Sequence, residues 1–284
     1  MRKLTLLILS CCFFAIAYAQ DDAGSVNMLS KRGEFILPEA GNIGLAIDAV
    51  PIVNYFGNAA NGNAFNTGAF NFVDGTNTII GKYMLTESSD VRVKFRFGKG
   101  RTKDVEYITR DSLPVSDPLI KVEDIEKAYF SNYTIGIGYE MSRGKGRVQG
   151  YYGAEVFVQY VGGHNTYEYG NQITADFTSI ANNTTNFGTN KNGNRRVLEN
   201  KGMNTFGFGL RGFIGVEYFF TPKISIGGEF GWGPGIFKDS DFTQTEEYWD
   251  GLKVQTEETK VAGGSSWALD TDNSSGGVFL TFYF

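Results

Sequence analysis

Residues 91–97 read VRVKFRF, and the alternation of apolar and basic residues in this stretch decides the fold class. Successive side chains of a β-strand point to opposite faces of the sheet. The two valines and two phenylalanines therefore share one face, and the three basic residues share the other. The stretch predicts a strand with one wholly apolar face and one charged face.

The same period-two alternation recurs in eight segments of the chain. The predicted strands are approximately 43–55, 78–85, 91–97, 132–141, 148–161, 205–219, 224–232 and 277–284. Their connections alternate between long and short, with short turns at 86–90, 142–147 and 220–223. An up-and-down meander whose two ends face different environments produces this alternation, whereas a soluble sandwich has no reason to keep its long loops at one end.

All charged residues of these segments fall on a single face. That face carries five basic and five acidic residues, and many of its other positions are glycine. The ten residues are Asp48, Lys82, Arg92, Lys94, Arg96, Glu140, Glu155, Arg211, Glu217 and Glu229. Since buried charges need partners, we expect them to form a neutralising network that plugs the lumen of a barrel. The alternative is a conduction path lined by the same charges.

Two kinds of eight-stranded barrel fit this pattern, namely a soluble lipocalin-like cup with an apolar interior and a membrane barrel with an apolar exterior. Runs of glycine on the charged face and aromatic residues near the strand ends favour the membrane barrel. The chain also ends in VFLTFYF, with Val278, Leu280, Phe282 and Phe284 at alternate positions. This ending resembles the C-terminal assembly signal of bacterial outer-membrane barrels. We therefore expect an all-β, eight-stranded, antiparallel up-and-down transmembrane β-barrel with long extracellular loops.

The composition is consistent with this class. A mean hydropathy of −0.21 with only one long apolar run excludes a helical membrane protein, because a spanning helix needs about 20 apolar residues. The content of 15% aromatic residues excludes a disordered chain. Many short strands are favoured by the 37 glycines and 42 aromatic residues among 284 positions.

The N-terminus has the pattern of a secretory signal peptide. A basic start precedes the 14-residue apolar run 4–17, and the small residues around Ala19 predict cleavage between Ala19 and Gln20. A lipoprotein signal is the alternative, because Cys11 and Cys12 lie in the apolar run, although cleavage before Cys11 would leave only ten residues.

Cleavage has two consequences for the mature chain. No cysteine remains, which excludes disulfides, thiolate catalysis and cysteine metal sites. Losing two of the 26 basic residues takes the net charge from −5 to −7, which argues against a nucleic-acid partner.

Two segments carry a resemblance to a known family. Both resemble parts of small eight-stranded outer-membrane barrels of the OmpA/OmpX type. Residues 38–58 (PEAGNIGLAIDAVPIVNYFGN) resemble the first strand of these barrels, and residues 219–227 resemble one of their periplasmic hairpins. Within this type, the two segments resemble the outer membrane β-barrel domain family of Bacteroides-like bacteria. The resemblance implies a signal peptide at 1–19, a periplasmic segment at 20–41 and a barrel at 42–284. It also implies periplasmic termini, contact with outer-membrane lipid and lipopolysaccharide, and recognition of the last strand by the assembly machinery.

No peptidoglycan-binding domain follows Phe284, which departs from the full OmpA pattern. We therefore expect no role in cell-wall tethering.

Catalytic signals are weak. His164 is the chain's single histidine. Lipid A deacylases on eight-stranded barrels use a histidine, a serine and an acidic residue near the outer rim. Here Thr166 replaces the serine two positions after His164, and the sequence assigns no acidic partner. The usual nucleotide-binding, zinc-protease and serine-hydrolase motifs are absent from the sequence. We expect a protein that is not an enzyme, with no cofactor and no bound metal.

The long loops give further expectations. Residues 119–128 (LIKVEDIEKA) predict a short amphipathic helix over the barrel mouth, and Asp111-Ser112-Leu113 resembles an O-glycosylation site of Bacteroides-like bacteria. The Asn- and Thr-rich segment 180–194 predicts a mobile loop, or an adhesive one that orders on contact. Loop 237–274 has three lysines and nine acidic residues, which favours a solvated loop over a divalent-cation site.

The predicted function follows from these features. We expect a non-enzymatic outer-membrane barrel whose extracellular loops act in surface interaction, envelope integrity or partnership with an envelope complex. A protein partner is not identified by the sequence. The alternative is a narrow OmpW-like channel for small or hydrophobic solutes.

Overall fold

The computed structural model describes residues 28–49, 78–111, 117–271 and 277–284, which contain twelve β-strands. The strands are β1 Ile43–Asp48, β2 Ile79–Thr86, β3 Ser89–Thr109, β4 Lys121–Lys145, β5 Val148–Glu168, β6 Asn190–Lys191, β7 Arg195–Thr221, β8 Ile224–Asp239, β9 Phe242–Trp249, β10 Val254–Val261, β11 Ser265–Thr271 and β12 Gly277–Tyr283. Within these ranges, no helix has the length and hydropathy that crossing a membrane requires.

Eight of the strands form a closed antiparallel ring. Its order is β7-β5-β4-β3-β2-β1-β12-β8, and β8 pairs with β7 to close it. These eight strands correspond one to one to the eight predicted segments, so the prediction of an all-β, eight-stranded up-and-down barrel is confirmed. We call the end with the short turns 87–88, 146–147 and 222–223 the turn end, and the opposite end the loop end.

The apolar face of each ring strand points outward. On β3, Val93, Phe95 and Phe97 are exposed, whereas Arg92, directly before Val93, is fully buried. On β1, which is apolar on both faces, Leu45 is exposed and Ala46 is buried. The alternative of a soluble cup with an apolar interior is therefore wrong, because the charged face lines the lumen.

Five ring strands continue past the loop end of the ring as an extended wall. The β3–β4 pairing runs without interruption from Ser89↔Met141 to Thr109↔Lys121. The predicted helix at 119–128 is consequently wrong, since residues 121–128 belong to β4. A ten-residue helix is marginal in water, whereas pairing with β3 satisfies the backbone groups of this segment.

The acidic loop 237–274 also forms strands. The β9–β10 hairpin joins the loop-end part of β7, with Arg195 paired to Tyr248 and Lys201 to Thr243. Strand β11 pairs with β8 next to it. The loop end is thus a sheet that extends from the barrel, and most residues of β10 are exposed to solvent.

The N-terminal segment closes the turn end. Ile36 and Leu37 form a buried cluster with Met84, Phe219 and Tyr283, which come from the ends of β2, β7 and β12. The cluster is fixed by a backbone hydrogen bond of 2.9 Å from Lys223 N to Ile36 O. Burial of this apolar surface seals the barrel below the charged lumen.

Several predictions lie wholly or partly outside the described residues. They are the signal peptide with its cleavage site between Ala19 and Gln20, residues 20–27 of the periplasmic segment, residues 50–55 of the first strand, Ser112 and Leu113 of the glycosylation tripeptide, and residues 272–274 of the acidic loop. The assembly signal is described, and β12 pairs with β1 and β8. Its recognition by an assembly machinery stays a prediction.

Candidate functional site

Arg92 is the centre of a charge network that crosses the lumen. Its Nη1 atom lies 2.7 Å from Glu229 Oε2 on β8 and 3.1 Å from Glu140 Oε2 on β4. Its Nε atom lies 3.3 Å from Glu155 Oε2 on β5. The guanidinium group also stacks over the Phe213 ring, with 4.0 Å to the ring centroid. One side chain from β3 therefore links four other strands of the ring.

Three further cations complete the contacts of these glutamates. Lys82 Nζ lies 2.6 Å from Glu140 Oε1. Arg211 Nη1 lies 2.7 Å from Glu229 Oε1 and 3.3 Å from Glu155 Oε1. Lys94 Nζ lies 3.7 Å from Glu155 Oε1. Four cations thus surround three carboxylates, and the strong attraction inside a low-dielectric lumen offsets their desolvation.

A glycine provides the space for one of these cations. A Cβ atom at Gly231 would lie 2.4 Å from the guanidinium of Arg211, which is closer than real Cβ contacts. Gly231 on the charged face therefore leaves room for the long side chain of Arg211 in the network.

The other predicted members differ in their surroundings. The carboxylate of Glu217 accepts hydrogen bonds from the hydroxyl groups of Ser225 and Tyr283, the latter at 3.2 and 3.3 Å, and makes no ion pair with any described residue. Arg96 faces the interior, but its Nε is buried without a hydrogen bond and it forms no ion pair within the described ranges. Asp48 lies on the inner face of β1. Seven of the ten predicted residues, four cations and three glutamates, thus form the ion-pair core.

Sequence reasoning missed Asp90. This residue is fully buried and stands opposite Glu140 in the β3–β4 register. It lies one position before the alternating stretch 91–97, so it was assigned to a turn. Asp90 and Arg92 are two positions apart and therefore share one face of the strand, and this spacing is the sequence signal that places Asp90 in the lumen.

The network leaves little space in the lumen. A gap beside Lys82, Tyr151 and Glu229 has a volume of about 10 Å³. A second gap of about 10 Å³ lies next to Leu37 and Phe219 at the turn end. Each is large enough for about one water molecule. The described part of the lumen is a packed polar core.

A folded cap lies on the inner face of the extended wall at the loop end. Asp124 of β4 is fully buried, and its two carboxylate oxygens accept backbone hydrogen bonds from Gly170 N at 2.9 Å and Thr184 N at 2.8 Å. We call residues 169–189, which these bonds hold, the cap segment. One aspartate therefore fixes both ends of a long connection.

Arg196 holds the same segment from the other side. Its Nη1 atom donates to Asn171 O at 2.8 Å and to Asn183 Oδ1 at 2.9 Å, and its Nε donates to Glu247 at 2.6 Å. The guanidinium lies 4.1 Å from the centroid of the Tyr169 ring, and burial raises the pKa of that phenol. The expectation of a mobile loop at 180–194 is corrected, because buried polar contacts anchor much of it.

His164 has an acidic neighbour that the sequence did not reveal. Its Nε2 lies 2.9 Å from Glu199 Oε1, and its ring packs edge-on against Tyr129 at 5.4 Å. Thr166 is the hydroxyl residue nearest in sequence, and no serine of the described ranges makes a hydrogen bond to His164. The pair links β5 to β7 across the outer surface of the wall.

The acidic residues of the β9–β10 hairpin have structural partners. Asp250 accepts hydrogen bonds from Gln255 Nε2, Lys253 N and Leu252 N at 2.7–2.8 Å, which lower its pKa from 3.8 to about 2. Because the folded-state pKa is lowered, the turn gains stability from ionised Asp250 above pH 3.8 and loses it as the pH falls to about 2. Arg195 lies 2.7 Å from Glu257. Across the described residues, no three acidic or histidine side chains are placed to hold a metal ion.

Comparison with known proteins gives one structural similarity. No protein-family model matches the chain, and no curated protein matches it at a significant level. Among solved structures, the chain is similar to the outer membrane protein OprG from Pseudomonas aeruginosa, with a TM-score of 0.30 and 11% identity. The similarity covers 87% of this chain and 98% of that one.

Proposed function

We propose that this chain is an outer-membrane barrel of the small OmpA/OmpX-like type. The outer face of the ring supports a membrane location. Towards the loop end, Phe97, Tyr133 and Tyr160 form a row on adjacent strands, with ring centroids 5.0 and 5.9 Å apart. Towards the turn end, Tyr139 and Tyr218 are exposed. Between these levels the described outward positions are uncharged, as lipid contact requires.

The proposed orientation places the turn end in the periplasm. Phe284 N donates a 2.8 Å hydrogen bond to Ile43 O, so the C-terminus lies at the turn end. The segment 28–41 packs at the same end. The β3–β4 and β9–β10 hairpins and the cap segment then face the cell exterior.

In this orientation the barrel is a plugged, non-enzymatic support for its external sheet. The observation that carries this proposal is the contact of Arg92 with glutamates from three strands across the lumen. Since ion pairs fill the described part of the lumen and the described loop residues form strands and the anchored cap segment, the surface offered to a partner is the external sheet. Its roles are surface interaction, envelope integrity or partnership with an envelope complex.

The plug can be tested by conductance. Purified protein inserted into planar bilayers is expected to give no large, stable channel, because ion pairs fill the path. Single-channel recording at both polarities measures this, with a trimeric porin in the same bilayer as the positive control. Steady openings of the unmodified protein would contradict the plug and favour a conducting barrel.

The partner role can be tested by site-specific photo-crosslinking in intact cells. Leu119 and Leu252 are each 88% exposed near the tips of the two hairpins, and exposed apolar side chains often mark contact sites. A photoreactive residue at either position is expected to give a discrete protein adduct, identified by mass spectrometry. The matched control is Ile137, which is 55% exposed on the membrane face. No adduct, or the same protein adducts at all three positions, would count against a loop-mediated partnership.

One observation favours the alternative of a route for hydrophobic solutes. A depression of about 470 Å³ lies on the outer wall, lined by Ile214, Phe230 and Val278, and its lining includes Glu229, whose carboxylate belongs to the lumen network. A lateral path between the lumen and the membrane would open at this depression. Uptake of a hydrophobic solute into liposomes by unmodified protein, lost when Gly228 is changed to Leu, would support this second function.

A further inference from the structure

From the basic outer surface of β3 and β4 we infer a binding site for the phosphate groups of an outer-leaflet lipid, such as those of lipid A in lipopolysaccharide. The inference rests on the proposed membrane location and orientation. It adds a defined site to the general expectation of contact with lipopolysaccharide.

The site begins directly above the aromatic row. After Phe97, the outward positions of β3 are Lys99, Arg101 and Lys103, all exposed. At about 3.3 Å per residue, Lys99 lies about 7 Å and Lys103 about 20 Å along the strand from Phe97. Because aromatic rows mark the membrane interface, these cations start at the level where lipid phosphates lie.

The neighbouring strand contributes one further lysine to this surface. In register, Lys99 faces Ser131, Arg101 faces Tyr129, and Lys103 faces Lys127. Like charges directly opposite each other destabilise a sheet unless an anion lies between them. Lys127 contacts Glu168, but Lys103 makes no ion pair with any described residue. Lys103 is therefore available to bind an external anion.

Arg101 is placed to bind an anion in a fixed geometry. Its Cζ lies 6.0 Å from the centroid of the Tyr129 ring, and no described carboxylate pairs with it. A planar guanidinium supported by an aromatic ring binds phosphate through two parallel hydrogen bonds. Lys99 and Lys103 stand on either side of it on the same face.

The charge pattern of the whole loop end singles out this surface. The chain has a net charge of −5. At the acidic β9–β10 hairpin two cations are paired, since Lys260 Nζ lies 2.8 Å from Asp241 and Arg195 of β7 contacts Glu257. On β3, Lys99, Arg101 and Lys103 are exposed, make no ion pair with a described residue and follow one another directly above the aromatic row, whereas Lys191 and Lys253 lie apart from each other on the external loops. Complementarity therefore favours an anionic lipid headgroup.

The test compares two triple variants of the full-length protein purified in detergent. In the first, Lys99→Gln, Arg101→Gln and Lys103→Gln remove the proposed site. In the matched control, Lys191→Gln, Lys253→Gln and Lys260→Gln remove the same charge from the external loops. Binding of bisphosphorylated lipid A and of chemically dephosphorylated lipid A is measured by native mass spectrometry. Heat-modified mobility on gels confirms that each barrel is folded.

We expect the first variant to bind bisphosphorylated lipid A at least 10-fold more weakly than the unmodified protein, and the control to bind within about 2-fold. Dephosphorylated lipid A should bind the unmodified protein as weakly as the first variant binds the phosphorylated form. Equal binding by both triple variants would overturn the inference. Displacement of lipid A by inorganic phosphate at equal concentration would overturn it too, by showing a site for free phosphate.

Failure of the phosphate-binding site can be distinguished from failure of the proposed function. Insertion of the unmodified protein into lipid vesicles tests the membrane location and does not depend on these cations. Insertion without phosphate-dependent lipid binding overturns the headgroup site alone, whereas failure to insert removes the proposed function as well.

Discussion

Replacing Arg92 with methionine is expected to lower the free energy of unfolding by about 3–5 kcal/mol, because removing one partner of a buried ion pair leaves the other uncompensated. Here the loss affects Glu140, Glu155 and Glu229 at once, since Arg92 contacts all three. The remaining cations are Lys82, Lys94 and Arg211, and each retains its contact. Urea unfolding of the protein in lipid vesicles, followed by tryptophan fluorescence, measures the change.

The matched control for this variant is Arg96→Met. Arg96 lies on the same strand and the same inner face, but within the described ranges it makes no ion pair, and its Nε is buried without a hydrogen bond. Its replacement is expected to change the free energy of unfolding by less than about 1 kcal/mol. Equal destabilisation by the two variants would show that the network of glutamates around Arg92 has no special role.

Replacing Asp124 with alanine is expected to release the cap segment without unfolding the barrel. The backbone N–H groups of Gly170 and Thr184 would each lose their acceptor, and an unsatisfied buried donor costs about 1–3 kcal/mol. The free energy for opening the segment should fall by about 2–4 kcal/mol, which corresponds to roughly 30- to 1,000-fold faster exchange. Hydrogen–deuterium exchange of peptides from residues 169–189 measures this release.

The control for the cap is Asp104→Ala, on the neighbouring strand. Asp104 faces Glu126 in the β3–β4 register, lies on the same face as Asp124, and is exposed. Its removal should leave exchange in the cap segment unchanged. If Asp124→Ala also leaves that exchange unchanged, then Arg196 and the packing of Tyr169 hold the segment without the aspartate.

The barrel could be predicted from the sequence because the alternation of apolar and charged residues is a local pattern. In the stretch 91–97 every second residue is apolar, and the alternation forces Arg92, Lys94 and Arg96 to one side whatever the partner strands are. The same reasoning located all eight ring strands. It also placed Glu140, Glu155, Arg211 and Glu229 on the inner face before any pairing was known.

The errors arose where local patterns are ambiguous. Residues 119–128 have a spacing that fits a helix, but the long partner strand β3 offers them backbone hydrogen bonds along its whole length. The Asn- and Thr-rich segment 180–194 is polar in composition, yet Asn183 and Thr184 are buried against Arg196 and Asp124. Asp124 lies 60 positions before Thr184, and the contact of Arg196 with Asn183 depends on how the chain turns back between them, so composition alone indicated a mobile loop.

The sequence by itself determined that this chain forms eight alternating strands with all strand charges on one face, because the two-residue period of a strand fixes the side of each residue. Only the tertiary structure decided which charges meet. Arg92 contacts glutamates 48, 63 and 137 positions away, whereas Arg96, four residues further along the same face, has no described ion-pair partner. The physical reason is that ion pairs depend on register and strand order around the closed ring, which no local pattern encodes.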